Sequence, residues 1–209
     1  MALPKLSPRG RETSIWLLYA LGFIPGLWGF YQGATGQIAG DPVRVFEHLL
    51  GLWALRFLCL GLAVTPLRDL AGVNLIAWRR ALGLLAFWYV LAHFTVYLTL
   101  DRGLQFGTIL ADIAKRPYIT LGMAGLLMLV PLAITSNRWS IRRLGSRWNK
   151  LHKLVYPILI VSVLHYALSL KSITAEPVFY IVTATVLLGY RLVRTPLMAR
   201  RRNRRNQTA

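Results

Sequence analysis

The sequence predicts an all-α membrane protein, a bundle of six transmembrane helices with both termini in the cytoplasm. Three observations lead there. Of 209 residues, 56% are hydrophobic and only 15% charged, at a mean hydropathy of +0.49, which suits a multi-span membrane protein better than a soluble domain. Six apolar segments approach the roughly 20 residues needed to cross a hydrocarbon core. The Lys and Arg residues behind the net charge of +18 sit in short loops between those segments, mostly on one side.

The segments run over residues 14–34, 45–67, 80–100, 118–136, 151–170 and 178–193. The first follows Lys5, Arg9 and Arg11. It is too long for the apolar core of a signal peptide and reads as an uncleaved helix. Gly22, Pro25 and Gly26 interrupt it, which membrane helices tolerate when neighbours satisfy the freed backbone. The second segment carries Arg56 within it and Glu47 beside His48 near its start. The third and fifth contain His93 and His165, and the fourth opens at Tyr118. The sixth is short, with Arg191 and Arg194 placed to snorkel to the interface.

Charge sets the orientation. Of the 25 Lys and Arg, 19 fall in the N-terminus, the second and fourth connections and the tail, five in the opposite connections, and Arg56 within a span. That asymmetry puts both termini in the cytoplasm. Residues 1–13 form a cytoplasmic N-terminus, 14–193 the helical domain, and 194–209 a basic tail. The tail is expected to be irregular, and attraction to anionic lipid accounts for its charge without nucleic acid. No repeat between halves and no nucleotide-binding loop is evident. The single cysteine, Cys59, excludes an internal disulfide, a CxxC motif and thioether-linked haem.

The histidines carry the chemistry. His93 lies 13 residues past Arg80 and His165 lies 15 past Lys150. On helices running the same way, both fall about 20 Å from the cytoplasmic end. An imidazole in lipid is costly and marks function, and two at one depth on different helices suit an iron porphyrin ligated from both sides. Zinc would want three or four convergent ligands. The alternative for either histidine is a hydrogen-bonded packing role. His152, in WNKLHKLVY, belongs near the cytoplasmic face as a cofactor group or a plain interfacial histidine. His48 is a third ligand, a quinone contact or a helix-end residue.

The stretches DPVRVFEHLLGLWALRF, TPLR, RPYITLG and above all TSNRWSIRRLGSRWNKLHKLVY, followed by HY, resemble the MsrQ (YedZ) family over nearly the whole chain. These are haem-binding membrane subunits of a periplasmic methionine sulfoxide reductase system, within the ferric reductase-like transmembrane group. The resemblance implies that group's fold, haem b with an association with FMN, a bacterial inner-membrane location, and ligand histidines at His93, His152 and His165. It also implies electrons drawn from the quinone pool and delivered to a periplasmic molybdenum reductase, MsrP, which repairs oxidised envelope proteins.

The chain departs from the wider group in one respect. Two-haem relatives carry two histidines on each of the third and fifth helices. Here the positions thirteen and fourteen before His93 hold Arg80 and Arg79, and guanidinium offers iron no lone pair. Arg79, Arg80 and His152 instead suggest a cytoplasmic site for an anionic group such as flavin phosphate or haem propionate; the plainer reading is topogenic arginines. The chain is expected to lack a soluble flavin domain, so electrons enter from quinol or from a cytoplasmic flavin reductase. Two rival readings stand beside this one. A cofactor-free transporter or assembly factor would use the histidines as proton relays, and a ferric reductase would work without a partner.

Overall fold

The computed structural model describes residues 7–170, 172 and 174–207, with side chains through Arg194. Among these residues every regular element is helical. Helix α1 (Pro8–Ala34) starts ahead of its apolar run, because the Ser7 hydroxyl accepts the Gly10 N–H at 3.1 Å and Pro8 takes the first helical position. Helix α2 (Pro42–Ala71) is capped by Asp41 and Pro42 and stops at Gly72, whose φ of 72° is the left-handed C-terminal conformation. A 3₁₀ turn leads into α3 (Arg79–Val96), and the end of α3 widens into a π-helical turn, Tyr97–Asp101. Short α4 (Phe106–Lys115) precedes α5 (Pro117–Ile134). Helices α6 (Arg138–Leu144) and α7 (Ser146–Leu151) then lead through a 3₁₀ turn at His152–Leu154 into α8 (Val155–Ser169). The chain closes with α9 (Ala175–Gln207).

Among the described residues, six helical stretches are long and apolar enough to span a membrane: Pro8–Ala34, Pro42–Ala71, Ile76–Asp101, Pro117–Ile134, Ser146–Ser169 and Ala175–Arg194. The six-span, all-helical bundle expected from sequence is therefore present, and the protein is a multi-pass membrane protein. One connection and the tail are helical as well. Helix α4 forms because Ile109 and Ile113 cover Tyr97 and Ile119, while its other face stays exposed. The basic tail, expected to be irregular, has a helical backbone to Gln207, in keeping with the good helix propensity of arginine.

Two helix pairs build the core, α2 with α3 and α5 with α8. Leu50, Leu58 and Leu62 of α2, Leu82, Leu85 and Ala86 of α3, Leu129 and Leu132 of α5, and Ile158, Leu159 and Val163 of α8 are buried in one apolar cluster. Helix α9 adds Tyr180, Ala184 and Leu187. Helix α1 stands at the edge, with only Gly22 and Gly29 buried and Trp16, Leu21, Leu27 and Trp28 exposed. Such a surface belongs against lipid tails, where apolar exposure carries no penalty.

The glycine–proline interruption of α1 has a specific partner. The buried Tyr89 hydroxyl accepts the Gly26 N–H at 2.9 Å and donates to the Gly22 carbonyl at 2.7 Å. An uninterrupted helix would pair those two groups with each other. The phenol thus enters the ladder of α1 and ties the edge helix to α3. Close approach needs a bare α-carbon, since a Cβ at Gly22 would lie 2.7 Å from Leu85 Cδ1.

Polar clusters close both ends. At the end holding the chain termini, Asp69 accepts from Arg68 at 2.7 Å, Tyr190 at 3.2 Å and Arg194 at 2.7 Å, joining α2 to α9. At the α4 end, Asp112 pairs with Arg102 at 2.7 Å and Arg116 at 2.9 Å. Tyr97 donates to the same carboxylate at 3.4 Å.

Candidate functional site

Helices α2, α3, α5 and α8 surround a cavity of about 560 Å³, within the usual size range for small-molecule and cofactor sites. Leu55, Leu58, Val90, Leu126, Leu129 and Ile158 give it apolar walls. Its rim toward the α4 end is polar, with Arg44, Glu47, Asp101, Arg102, Arg116 and Ser169. The pKa of Arg102 stays above the usual arginine value; burial opposes this, but Tyr97, Asp101 and Asp112 outweigh it. That of Arg116 is raised through its bond to Tyr118 and through Asp112.

His93 and His165 face one another across this cavity. Their ring centroids are 6.1 Å apart and their planes 86° apart. His93 Nδ1 lies 2.8 Å from the carbonyl oxygen of Glu47 on α2. His165 Nδ1 lies 2.6 Å from that of Tyr118 on α5. A carbonyl oxygen only accepts, so both imidazoles carry their proton on Nδ1 and leave Nε2 with a free lone pair. Metal-ligating histidines are commonly oriented this way. The Glu47 carboxylate stands 3.9 Å from His93 Nε2, too far for a hydrogen bond.

The donor set fits a haem. Two neutral imidazoles about 2 Å from one metal and on opposite sides of it would have ring centroids roughly 6 Å apart, close to the 6.1 Å here. An apolar slot suits a macrocycle, and the arginines on the rim suit its carboxylates. No cluster of three or more His, Cys, Asp or Glu able to hold a metal ion occurs among the described residues.

The other candidates separate. His48 lines the same cavity but faces Tyr166, at 5.5 Å between ring centroids, and stands outside the opposed pair. His152 lies toward the end holding the termini, stacked on Trp148 at 3.7 Å. Its Nδ1 lies 3.1 Å from the Trp148 carbonyl oxygen, and the ring is also within reach of the Leu132 backbone. Arg79 is within electrostatic reach of His152 and Arg191, whereas Arg80 acts on Tyr19 of α1. The two neighbouring arginines therefore serve different surroundings.

Sequence reasoning passed over Gly51, Gly122 and the carbonyls of Glu47 and Tyr118. A Cβ at Gly51 would lie 3.3 Å from His93 Nδ1, and one at Gly122 would lie 2.9 Å from His165 Nδ1. Glycine inside a helix costs about 1 kcal/mol against alanine, and that cost was the available signal.

Fold and cavity together define a multi-span helical protein with an opposed histidine pair in a four-helix core. The family model described as "Ferric reductase like transmembrane component" matches residues 50–163, from within α2 to within α8. "Protein-methionine-sulfoxide reductase heme-binding subunit MsrQ" of Agrobacterium fabrum is 69% identical over 205 residues, covering 98% of this chain and 95% of the relative. Proteins of the same name from Brucella ovis and Brucella suis are 57% identical over 197 residues, covering 94% of this chain and 90% of theirs. The chain belongs to the MsrQ family, within the ferric reductase-like transmembrane group. No solved structure matches it.

Proposed function

We propose that this chain is the haem b electron-transfer subunit of a methionine sulfoxide reductase system in the bacterial inner membrane. One observation carries the reading: His93 and His165 oppose each other at 6.1 Å, each held by Nδ1 to a backbone carbonyl of a neighbouring helix. The relatives' printed name, a haem-binding subunit of that reductase, supports it. A haem bound there supplies one-electron chemistry between ferric and ferrous iron. The chain's own residues do the rest. The carbonyls of Glu47 and Tyr118 fix both imidazole tautomers, the apolar walls suit a macrocycle, and Arg44, Arg102 and Arg116 line the rim as cations toward which its carboxylates would be drawn, the last two already paired with Asp112.

The end holding the termini carries most of the basic residues and faces the cytoplasm by the positive-inside rule. The histidine pair then lies toward the periplasm, near the partner it serves. By resemblance to the family, electrons come from the quinone pool, or from a cytoplasmic flavin reductase, and pass to the periplasmic molybdenum reductase MsrP. His152 serves a second, cytoplasmic-side cofactor. Its Nδ1 is tied to a carbonyl as in the other two. Arg79 beside it suits an anionic group, including the phosphate of FMN.

The test is the dithionite-reduced minus oxidised absorption spectrum of purified protein, with His93→Ala and His165→Ala alongside. A b-type spectrum present in wild type and lost in both variants is expected. Wild-type protein from haem-sufficient cells without haem would end the proposal. For the second site, Arg79→Gln and His152→Ala should each lower total cofactor content while the His93–His165 spectrum persists. Unchanged content in both would remove that site.

A further inference from the structure

The two halves of the histidine site are built alike. His93 on α3 lies against Gly51 of α2 and bonds the carbonyl of Glu47, four residues before that glycine. His165 on α8 lies against Gly122 of α5 and bonds the carbonyl of Tyr118, again four residues before the glycine. In a helix, the carbonyl of residue i pairs with the N–H of residue i+4. Each imidazole therefore shares the carbonyl whose own helical partner is the glycine it rests on. Helix pair α2–α3 repeats in α5–α8, with Gly51 matching Gly122 and His93 matching His165. The composition of the two pairs does not reveal this correspondence.

We propose that Gly51 and Gly122 are positioning residues that hold the two histidines in the ligating tautomer by letting each ring reach a helical carbonyl. The inference rests on the haem reading above. A Cβ on either glycine would press on the ring beside its Nδ1. The two positions are unequal. At Gly122 the added carbon would fall 2.9 Å from both His165 Nδ1 and Cε1, closer than real contacts allow. At Gly51 the nearest atoms are His93 Nδ1 at 3.3 Å and Cε1 at 3.4 Å, a contact relieved by a few tenths of an ångström. Displacement of a ring costs it the Nδ1–H···O=C bond, and the proton is then free to move to Nε2, which removes the lone pair that would bind iron.

The experiment compares the full-length wild type with Gly122→Ala, Gly51→Ala and Gly83→Ala, purified in parallel from haem-sufficient cells. Gly83 is the control, because nothing lies within 4 Å of a Cβ there. Haem per protein, the low-spin optical and EPR signatures and the midpoint potential are read for each. Gly122→Ala should lose low-spin haem about 10–100-fold, the usual range for removing an outer partner of a metal ligand. Gly51→Ala should retain haem with an altered low-spin signal, and Gly83→Ala should match wild type. Helicity and melting temperature by circular dichroism should match wild type in Gly122→Ala, which general misfolding would not permit. Should Gly122→Ala fail to accumulate, the Gly51→Ala signal decides the matter. Wild-type spectra and potentials in both variants would overturn the inference, as would equal damage in Gly83→Ala. Absence of haem from wild type would instead overturn the reading beneath it.

Discussion

The imidazole planes of His93 and His165 stand almost perpendicular, at 86°. The angle follows from their anchors, because each ring must turn its Nδ1 toward a carbonyl on a different helix, Glu47 on α2 or Tyr118 on α5. Were a haem held between them, imidazoles at this angle would leave the two π-interacting iron orbitals nearly equal in energy, so that the ring angle would be read in the spectrum. We predict a low-spin ferric EPR signal of the strongly anisotropic type. A rhombic signal of the parallel-plane type would show that the anchors do not set the ring angles.

His48 shares the cavity without joining the opposed pair. His48→Ala should therefore keep the b-type spectrum in full, in contrast to His93→Ala and His165→Ala. Loss of haem in His48→Ala would assign it a ligating role.

Tyr89 gives α1 two hydrogen bonds within its opened turn. Tyr89→Phe leaves a buried N–H and carbonyl unsatisfied and should destabilise the docking of α1 by about 1–3 kcal/mol. Hydrogen exchange should rise around residues 22–26 while haem content holds. Unchanged exchange there would mean that α1 is held by other contacts.

Asp112 joins Arg102, Arg116 and Tyr97 beneath α4. Asp112→Asn should loosen α4 by about 1–2 kcal/mol, because Arg116 is partly exposed and its share is reduced by solvent. Limited proteolysis between residues 102 and 116 reports it, with faster cleavage expected. At the opposite end, Asp69→Asn releases Arg68 and Arg194 together and should lower the melting temperature without changing the haem spectrum. A spectrum changed by Asp69→Asn would connect that end to the histidine pair.

The sequence alone determined the six-span helical class and placed His93 and His165 at one depth. Both are read one residue at a time: hydropathy adds along a segment, and 1.5 Å of rise per residue converts position into depth. Tertiary structure decided which imidazole atom faces the cavity, that His48 stands outside the pair, and that Arg79 and Arg80 part company. It also showed that Gly51 and Gly122, unremarked in the apolar runs, are where the rings rest. These depend on how each helix is rotated about its axis and which neighbour it meets. That is a property of many side chains packing at once, and no single segment encodes it.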